Sequence, residues 1–334
     1  MTSSNSRCPH CATAVAPTDR FCEDCGGSLS ELQKVAIPRP PSTDGPCTDC
    51  GNEGQFDEYC TVCGHRREQP DRDEASLGEV VLITDRGIEH AGNEDAASAG
   101  MLVGNDATRP DAIAVVVCDG VSSSDEAHKA AVAASAAGVD AMLAAIAATK
   151  KARAAVLAGL DAAAKAAVAA GSGSASAPSC TYTAAIVLPG EGSAQVTVGN
   201  VGDSRAYWLP EPPASPQQLT VDDSLSQELI TAGASPESEA VRRGAHTLTR
   251  WLGADSDAEP WSESSVQTIT AEGPGTLLLC SDGLWNYLPE AADIARFCIG
   301  VEPSAAARAL TEYALNAGGQ DNITVAIIPI GGTS

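Results

Sequence analysis

The chain has 334 residues, 43% apolar and only 4% aromatic, with a formal net charge of −24 and a pI near 4.4. This length allows a large catalytic domain plus a small appendage, with a core built from aliphatic side chains and alanine. So negative a chain is unsuited to nucleic acid or an anionic bilayer as main partner; no leader or spanning stretch is read, because Lys150, Lys151 and Arg153 interrupt the alanine-rich region.

The first predicted elements are metal knuckles. Cys8 and Cys11 pair with Cys22 and Cys25, and Cys47 and Cys50 pair with Cys60 and Cys63, each couple spaced Cys-x-x-Cys. Two such knuckles supply the four thiolates of a closed tetrahedral site, which predicts two structural Zn²⁺ ions that hold folds and do no chemistry. Thiolate sites without a leader place the chain in a reducing cytoplasm. Residues 1–76 carry 7 Lys+Arg against 13 Asp+Glu, so protein docking or regulation suits these modules better than nucleic acid. The predicted organisation is a zinc ribbon over 1–30, a proline-rich linker over 31–45, a second ribbon over 46–66, a polar linker over 67–76 and one main domain over 77–331.

In the main domain, 80–83 reads as a strand ending at Asp85, followed by a loop that carries Glu94 and Asp95. A buried strand at 113–118 ends in Asp119 and Gly120. The alanine-rich stretch 125–170 predicts two long helices, stopped by a Gly/Ser loop at 171–178. Residues 181–188 and 194–198 predict a hairpin; a glycine-rich turn then carries Asp203 and Arg205 into a strand at 206–209. Residues 210–253 read as polar surface. The run 275–280 repeats the device of the second strand, delivering Asp282 and Gly283 to its end. One or two helices follow over 289–317, and Asp321 and Asn322 precede a last strand at 323–330. Antiparallel strands enclosing helices, without strict β-α alternation, indicate an α+β domain.

A lone Asp-Gly is ordinarily a turn, but Asp95, Asp119, Asp203, Asp282 and Asp321 all stand at strand edges or in glycine-rich turns. Gathered at one end of a sheet they would repel and raise one another's pKa, which hard divalent cations such as Mg²⁺ or Mn²⁺ resolve. Held in pairs, such ions acidify a water and clamp phosphoryl oxygens.

In order, the segments around Asp85 and Asp95, Asp119-Gly120, Asp203 to Arg205, Asp282-Gly283 and Asp321-Asn322 resemble the metal-dependent type 2C protein serine/threonine phosphatases, over about 77–330. The resemblance implies a four-layer α/β/β/α sandwich, two antiparallel sheets flanked by helices, in addition to the two zinc-ribbon modules. It also implies a bacterial-type centre of two Mg²⁺/Mn²⁺ ions and a loosely bound third. Asp119 would bridge the two ions, with the Gly120 carbonyl as a ligand. Asp282 and Asp321 would complete one shell, Asp95 with Glu94 would serve the other, and Asp203 with Asp282 would hold the third. The implied reaction is hydrolysis of phosphoserine and phosphothreonine on proteins by metal-activated water, opposing a serine/threonine kinase signalling system. His90 stands where the family usually has a phosphate-gripping arginine, and Asp223 where a histidine is common; the nearest histidine for a general acid is His128. These departures support an alternative, a pseudophosphatase that binds phosphoproteins with impaired turnover. Cys118 and Cys280, beside ligand positions, are read as buried structural cysteines.

Overall fold

Runs of Val, Ile, Leu and Ala cut by Gly, Pro and Asp build the strands, and the computed structural model describes residues 6–331 except 9–10, 17–20, 27–28, 40–45, 48–49, 54–59, 65–71, 105–108, 172–176 and 258. The first ribbon contains a small hairpin, β1 (Ser6–Arg7) and β2 (Ala14–Val15). Then come β3 (Glu31–Ile37), β4 (Arg72–Leu77), β5 (Val80–Asp85), β6 (Ala96–Val103) and β7 (Ala112–Cys118). Helices α1 (Ala127–Ala147) and α2 (Ala152–Ala170) follow, then β8 (Ser179–Cys180), β9 (Tyr182–Pro189), β10 (Ser193–Val201), β11 (Arg205–Pro210) and β12 (Gln217–Gln218). An excursion holds α3 (Leu225–Thr231), α4 (Glu239–Arg243) and β13 (Leu252–Gly253), the last paired with β8. The chain ends in β14 (Val266–Glu272), β15 (Gly275–Cys280), α5 (Asp282–Trp285), α6 (Ala291–Cys298), α7 (Pro303–Ala317) and β16 (Ile323–Ile330).

Two antiparallel six-stranded sheets result, in the orders β14-β10-β9-β7-β6-β3 and β12-β11-β15-β16-β5-β4. The central strands read as unbroken apolar runs because both faces are buried. On β7, Val115 and Val117 face the other sheet while Ala114 and Val116 face α1 and α2. On β16, Ala326 and Ile328 face inward while Val325 and Ile327 meet the α5–α7 layer. Each buried aliphatic side chain contributes about 1.5–3 kcal/mol, and the four expected layers are present.

Three expectations need correction. The stretch 31–45 opens with β3 and the stretch 67–76 contains β4, so neither is simply a linker: each strand closes an edge of one sheet. Both are polar because an edge strand buries little, and that polarity mimics linker composition. The second cysteine quartet is therefore inserted between two strands of the sandwich. Residues 40–45 of the proline-rich stretch and 172–176 of the Gly/Ser loop lie outside the described residues. Finally, α1 is long and apolar enough to cross a bilayer by length and composition, because Lys150 to Arg153 fall after its end. Its inner side packs through Ala130, Ala134, Met142 and Leu143 onto the sheet, as a core helix does.

Candidate metal centre

Five strand ends converge on one edge of the sandwich. Asp95 precedes β6, Asp119 follows β7, Asp203 sits in the turn between β10 and β11, Asp282 begins α5 directly after β15, and Asp321 precedes β16. Two glycines let these loops interlock. A Cβ on Gly87, whose φ is +78°, would lie 2.2 Å from the Asp321 carbonyl oxygen, and one on Gly283 would lie 2.1 Å from that of Asn322. Asn322, 2% exposed, ties the Asp95 loop down. Its amide donates to the carbonyls of Arg86 (2.7 Å) and Gly92 (3.1 Å), and its oxygen accepts from the Glu94 N–H (2.7 Å).

A cleft of about 630 Å³ opens at this edge, lined by Asp119, Gly120, Ser122, Ser123, Asp203, His246, Asp282, Asn286, Tyr287 and Asp321 among others. Asp95 lies beneath it, wholly buried; its Oδ2 accepts from the Ser281 hydroxyl (2.8 Å), while Oδ1 has no hydrogen-bond partner. Asp282 repeats the pattern: Oδ2 accepts from Asn286 Nδ2 (3.2 Å) and Oδ1 is unpartnered. A buried carboxylate oxygen left unpaired costs about 1–3 kcal/mol or more, so these two call for a cation. Thr181 holds Asp119 at both backbone groups, through Thr181 Oγ1 (3.0 Å) and Thr181 N–H (2.7 Å). Trp285 anchors the Asp203 carbonyl through its indole N–H (2.8 Å).

The electrostatics agree with the geometry. Burial, then the charges of Asp95, Asp282, Asp321 and Asp203, push Asp119 well above the usual carboxylate range. Burial likewise raises Asp95, against hydrogen bonds from Thr324 and Ser281 and with the charges of Asp321 and Asp282 adding to it. Burial and Asp282 bring Asp203 to about 8, and Asp321 is raised by burial and Asp282. The donor set, all oxygen with two orphans, fits hard divalent cations.

The cysteine quartets are tighter. In each, the four sulfurs lie within 4.8 Å of one another, and these are the two such groups of metal-ligating side chains among the described residues; the aspartates are more widely set. Cys8 meets Cys25 at 3.6 Å and Cys11 meets Cys22 at 3.4 Å; Cys47–Cys63 and Cys50–Cys60 are both 3.7 Å. Positive φ at Gly26, Gly51 and Gly64 closes three knuckles, and Ala12 adopts it at the fourth. Hydrogen bonding with Thr13 draws the Cys11 thiol down to about 6, and hydrogen bonds led by that of the Cys63 backbone do the same for Cys60, favouring the thiolate a soft metal needs.

His90 is not among the residues that line the cleft. Its Nε2 lies 3.1 Å from Asp321 Oδ1, so it meets a carboxylate at the position expected to grip phosphate. Asp223 is a scaffold: it accepts from the Gly202 N–H (3.1 Å) and from Arg250 (3.1 Å). Cys118 and Cys280 are fully buried, and burial raises both thiols. Sequence reasoning missed His246, which the polar excursion carries to the cleft; its ring stacks on Trp285 (centroids 6.5 Å, 9°) and its Nδ1 lies 3.7 Å from Asp282 Oδ2. No local pattern marks it, because a long surface segment separates it from the Asp203 turn.

Comparison with known proteins agrees with this architecture. The sequence profile described as protein phosphatase 2C matches residues 93–316. The serine/threonine phosphatase stp of Listeria innocua is 35% identical over 149 residues, 44% of this chain and 55% of that protein, so the chain spans about half the length of the curated relatives it matches. The PPM Ser-Thr phosphatase MsPP from Mycobacterium smegmatis, solved in complex with cacodylate, superposes with a TM-score of 0.57 at 28% identity, covering 77% of this chain and all of that one. The catalytic domain of the serine/threonine phosphatase PstP, solved with 2 manganese ions, shares the fold at 24% identity and a TM-score of 0.50, covering 76% of this chain and 98% of that one. The chain belongs to the protein phosphatase 2C family.

Proposed function

We propose that the chain hydrolyses phosphoserine and phosphothreonine on proteins with two Mg²⁺ or Mn²⁺ ions, in the cytoplasm and against a serine/threonine kinase. The observation that carries this reading is the pair of buried, unpartnered oxygens on Asp95 and Asp282 within five mutually repelling carboxylates. Asp95, Asp119 with the Gly120 carbonyl, Asp282 and Asp321 would hold the two ions, with Asp203 and Asp282 serving a third. When bound, such ions supply Lewis acidity and acidify a water. The chain's own residues do the rest. Asn322 fixes the loop that presents Asp95, Ser281 orients the Asp95 carboxylate, and Thr181 sets the Asp119 backbone. The PstP domain with its manganese ions and the stp phosphatase support the metal and the reaction class. The two quartets would each hold a structural Zn²⁺, as modules for targeting or regulation.

The decisive assay is Mn²⁺-dependent, chelator-sensitive turnover of a phosphoserine peptide, lost in Asp282→Asn; metal-loaded protein without turnover would overturn it. The second reading, a phosphoprotein binder with impaired turnover, draws on His90 facing Asp321 and on a cleft lining with no Lys or Arg among the described residues. His90→Arg discriminates: a large rate increase indicates an enzyme weak in phosphate binding, and no rate in either form indicates a binder.

A further inference from the structure

Asp203 stands in the turn between β10 and β11, and its two neighbours are tied down by residues at no ligand position. Gly202, at φ +102°, donates its N–H to Asp223 Oδ2 (3.1 Å), and its carbonyl accepts from the Asp223 N–H (2.8 Å). Ser204 shares a hydroxyl–hydroxyl hydrogen bond with Thr181 (2.8 Å), and its carbonyl accepts from the Thr183 hydroxyl (2.9 Å). The Asp203 carbonyl is held from another direction, by the indole N–H of Trp285 (2.8 Å). Trp285 ends the single helical turn α5 that Asp282 begins. Residues three apart on a helix share a face, so one turn supplies both the Asp282 carboxylate and the donor that fixes Asp203.

The indole is itself braced. Trp285 is buried, and the Arg205 guanidinium carbon lies 3.7 Å from its ring centroid. Arg205 in turn donates through Nε (3.0 Å) and Nη2 (2.7 Å) to the two carboxylate oxygens of Asp222. Such a two-point pair fixes the plane of a guanidinium, which an ammonium could not match, and the indole packs against that plane. His246 stacks on the same indole from the polar excursion. The aspartates form no group as close-set as the cysteine quartets, so which of them can share an ion depends on how their loops are spaced. Asp203 and Asp282 both line the cleft, and the Trp285 hydrogen bond ties the loop of one to the helix of the other.

We infer that Trp285 is a positioning residue: its hydrogen bond to the Asp203 carbonyl, with the ring braced by Arg205, sets the spacing at which Asp203 and Asp282 share one divalent ion. The inference rests on the metal centre proposed above and adds the part that tunes one of its sites. Trp285 touches no reacting atom and acts through Asp203. Ligands already held in place bind more tightly because less ordering is left for the binding step. The effect is confined to the ion these two carboxylates share.

The test titrates Mn²⁺ alone into the full chain and follows free Mn²⁺ by electron paramagnetic resonance. The unaltered chain is expected to bind a third Mn²⁺ more weakly than the first two, and Asp203→Asn to lose that ion, which identifies its site. Trp285→Phe, which keeps a ring beside Arg205 and loses the N–H, is expected to weaken the third ion about fivefold and leave the tighter two unchanged. Arg205→Lys, which keeps the charge and loses the fork, is expected to weaken it about threefold, and it decides the matter where Trp285→Phe does not fold. In the Asp203→Asn background, Trp285→Phe is expected to change no remaining Mn²⁺ affinity, as a residue acting through Asp203 must. Trp208→Phe, the same exchange at a buried position between the sheets, controls for lost packing and is expected to change none. An unchanged third affinity in Trp285→Phe, an equal fall at every site, a matching fall in Trp208→Phe or a further loss in the Asp203→Asn background would overturn the inference, as would an unaltered chain that binds no third Mn²⁺. Absence of phosphoserine-peptide turnover by the unaltered chain refutes the phosphatase reading alone, because the Mn²⁺ titration still decides the positioning.

Discussion

Asn322 shows how much one side chain organises here. It makes three hydrogen bonds to a loop more than two hundred residues away in sequence, and that loop presents Asp95. Asn322→Ala would strand two carbonyls and an N–H and is expected to cost about 2–3 kcal/mol, measured by urea unfolding with Mn²⁺ present. Its turnover should fall further than that loss explains, because Asp95 loses its position. The aspartates were legible in the sequence because each ends an apolar run with a turn beside it. Asn322's role was not, since an asparagine after an aspartate looks like an ordinary turn until the Asp95 loop is laid beside it. His90 was legible as a departure from the family, but its partner, Asp321, was set by a tertiary approach that no local pattern encodes.

At the level of elements, the α1–α2 pair packs on its sheet around Tyr182. Its hydroxyl is buried without a hydrogen-bond partner, and a Cβ on Gly138 would stand 2.3 Å from it. Tyr182→Phe removes an unpaired polar group and is expected to leave stability unchanged or raise it by about 1 kcal/mol. Gly138→Ala should instead cost about 1–3 kcal/mol by overpacking; thermal melts of both variants check the pair. The helices themselves were readable from alanine content and length. Strands β6 and β14 were not: β6 is largely Ala, Ser and Gly, poor strand formers that burial and pairing override, and β14 is a mostly exposed edge. Strands β3 and β4 were hidden the same way, which is why the domain was expected to begin too late.

For the whole molecule, the ion pair of Arg39 with Asp73 at the foot of the second ribbon gives a pH signature. Burial alone would raise the Asp73 carboxyl, but hydrogen bonds and charge from Arg39 outweigh it and hold the group below its ordinary value. With the folded value depressed, the stabilisation is present above the unfolded value of about 3.9 and is lost as pH falls through the folded one. Asp73→Asn is expected to cost about 1 kcal/mol at pH 7, a modest figure because Arg39 is largely exposed. Unfolding curves of the variant and the unaltered protein should converge as the pH falls through the depressed folded value.

The central claim is that five aspartates at one sandwich edge bind the ions that drive phosphate ester hydrolysis. The most direct measurement is the rate of phosphoserine-peptide hydrolysis with and without Mn²⁺, by the unaltered chain and by Asp282→Asn. The expected result is Mn²⁺-dependent turnover that falls by at least about a hundredfold in the variant. Turnover that is independent of Mn²⁺, or that survives Asp282→Asn, would contradict it.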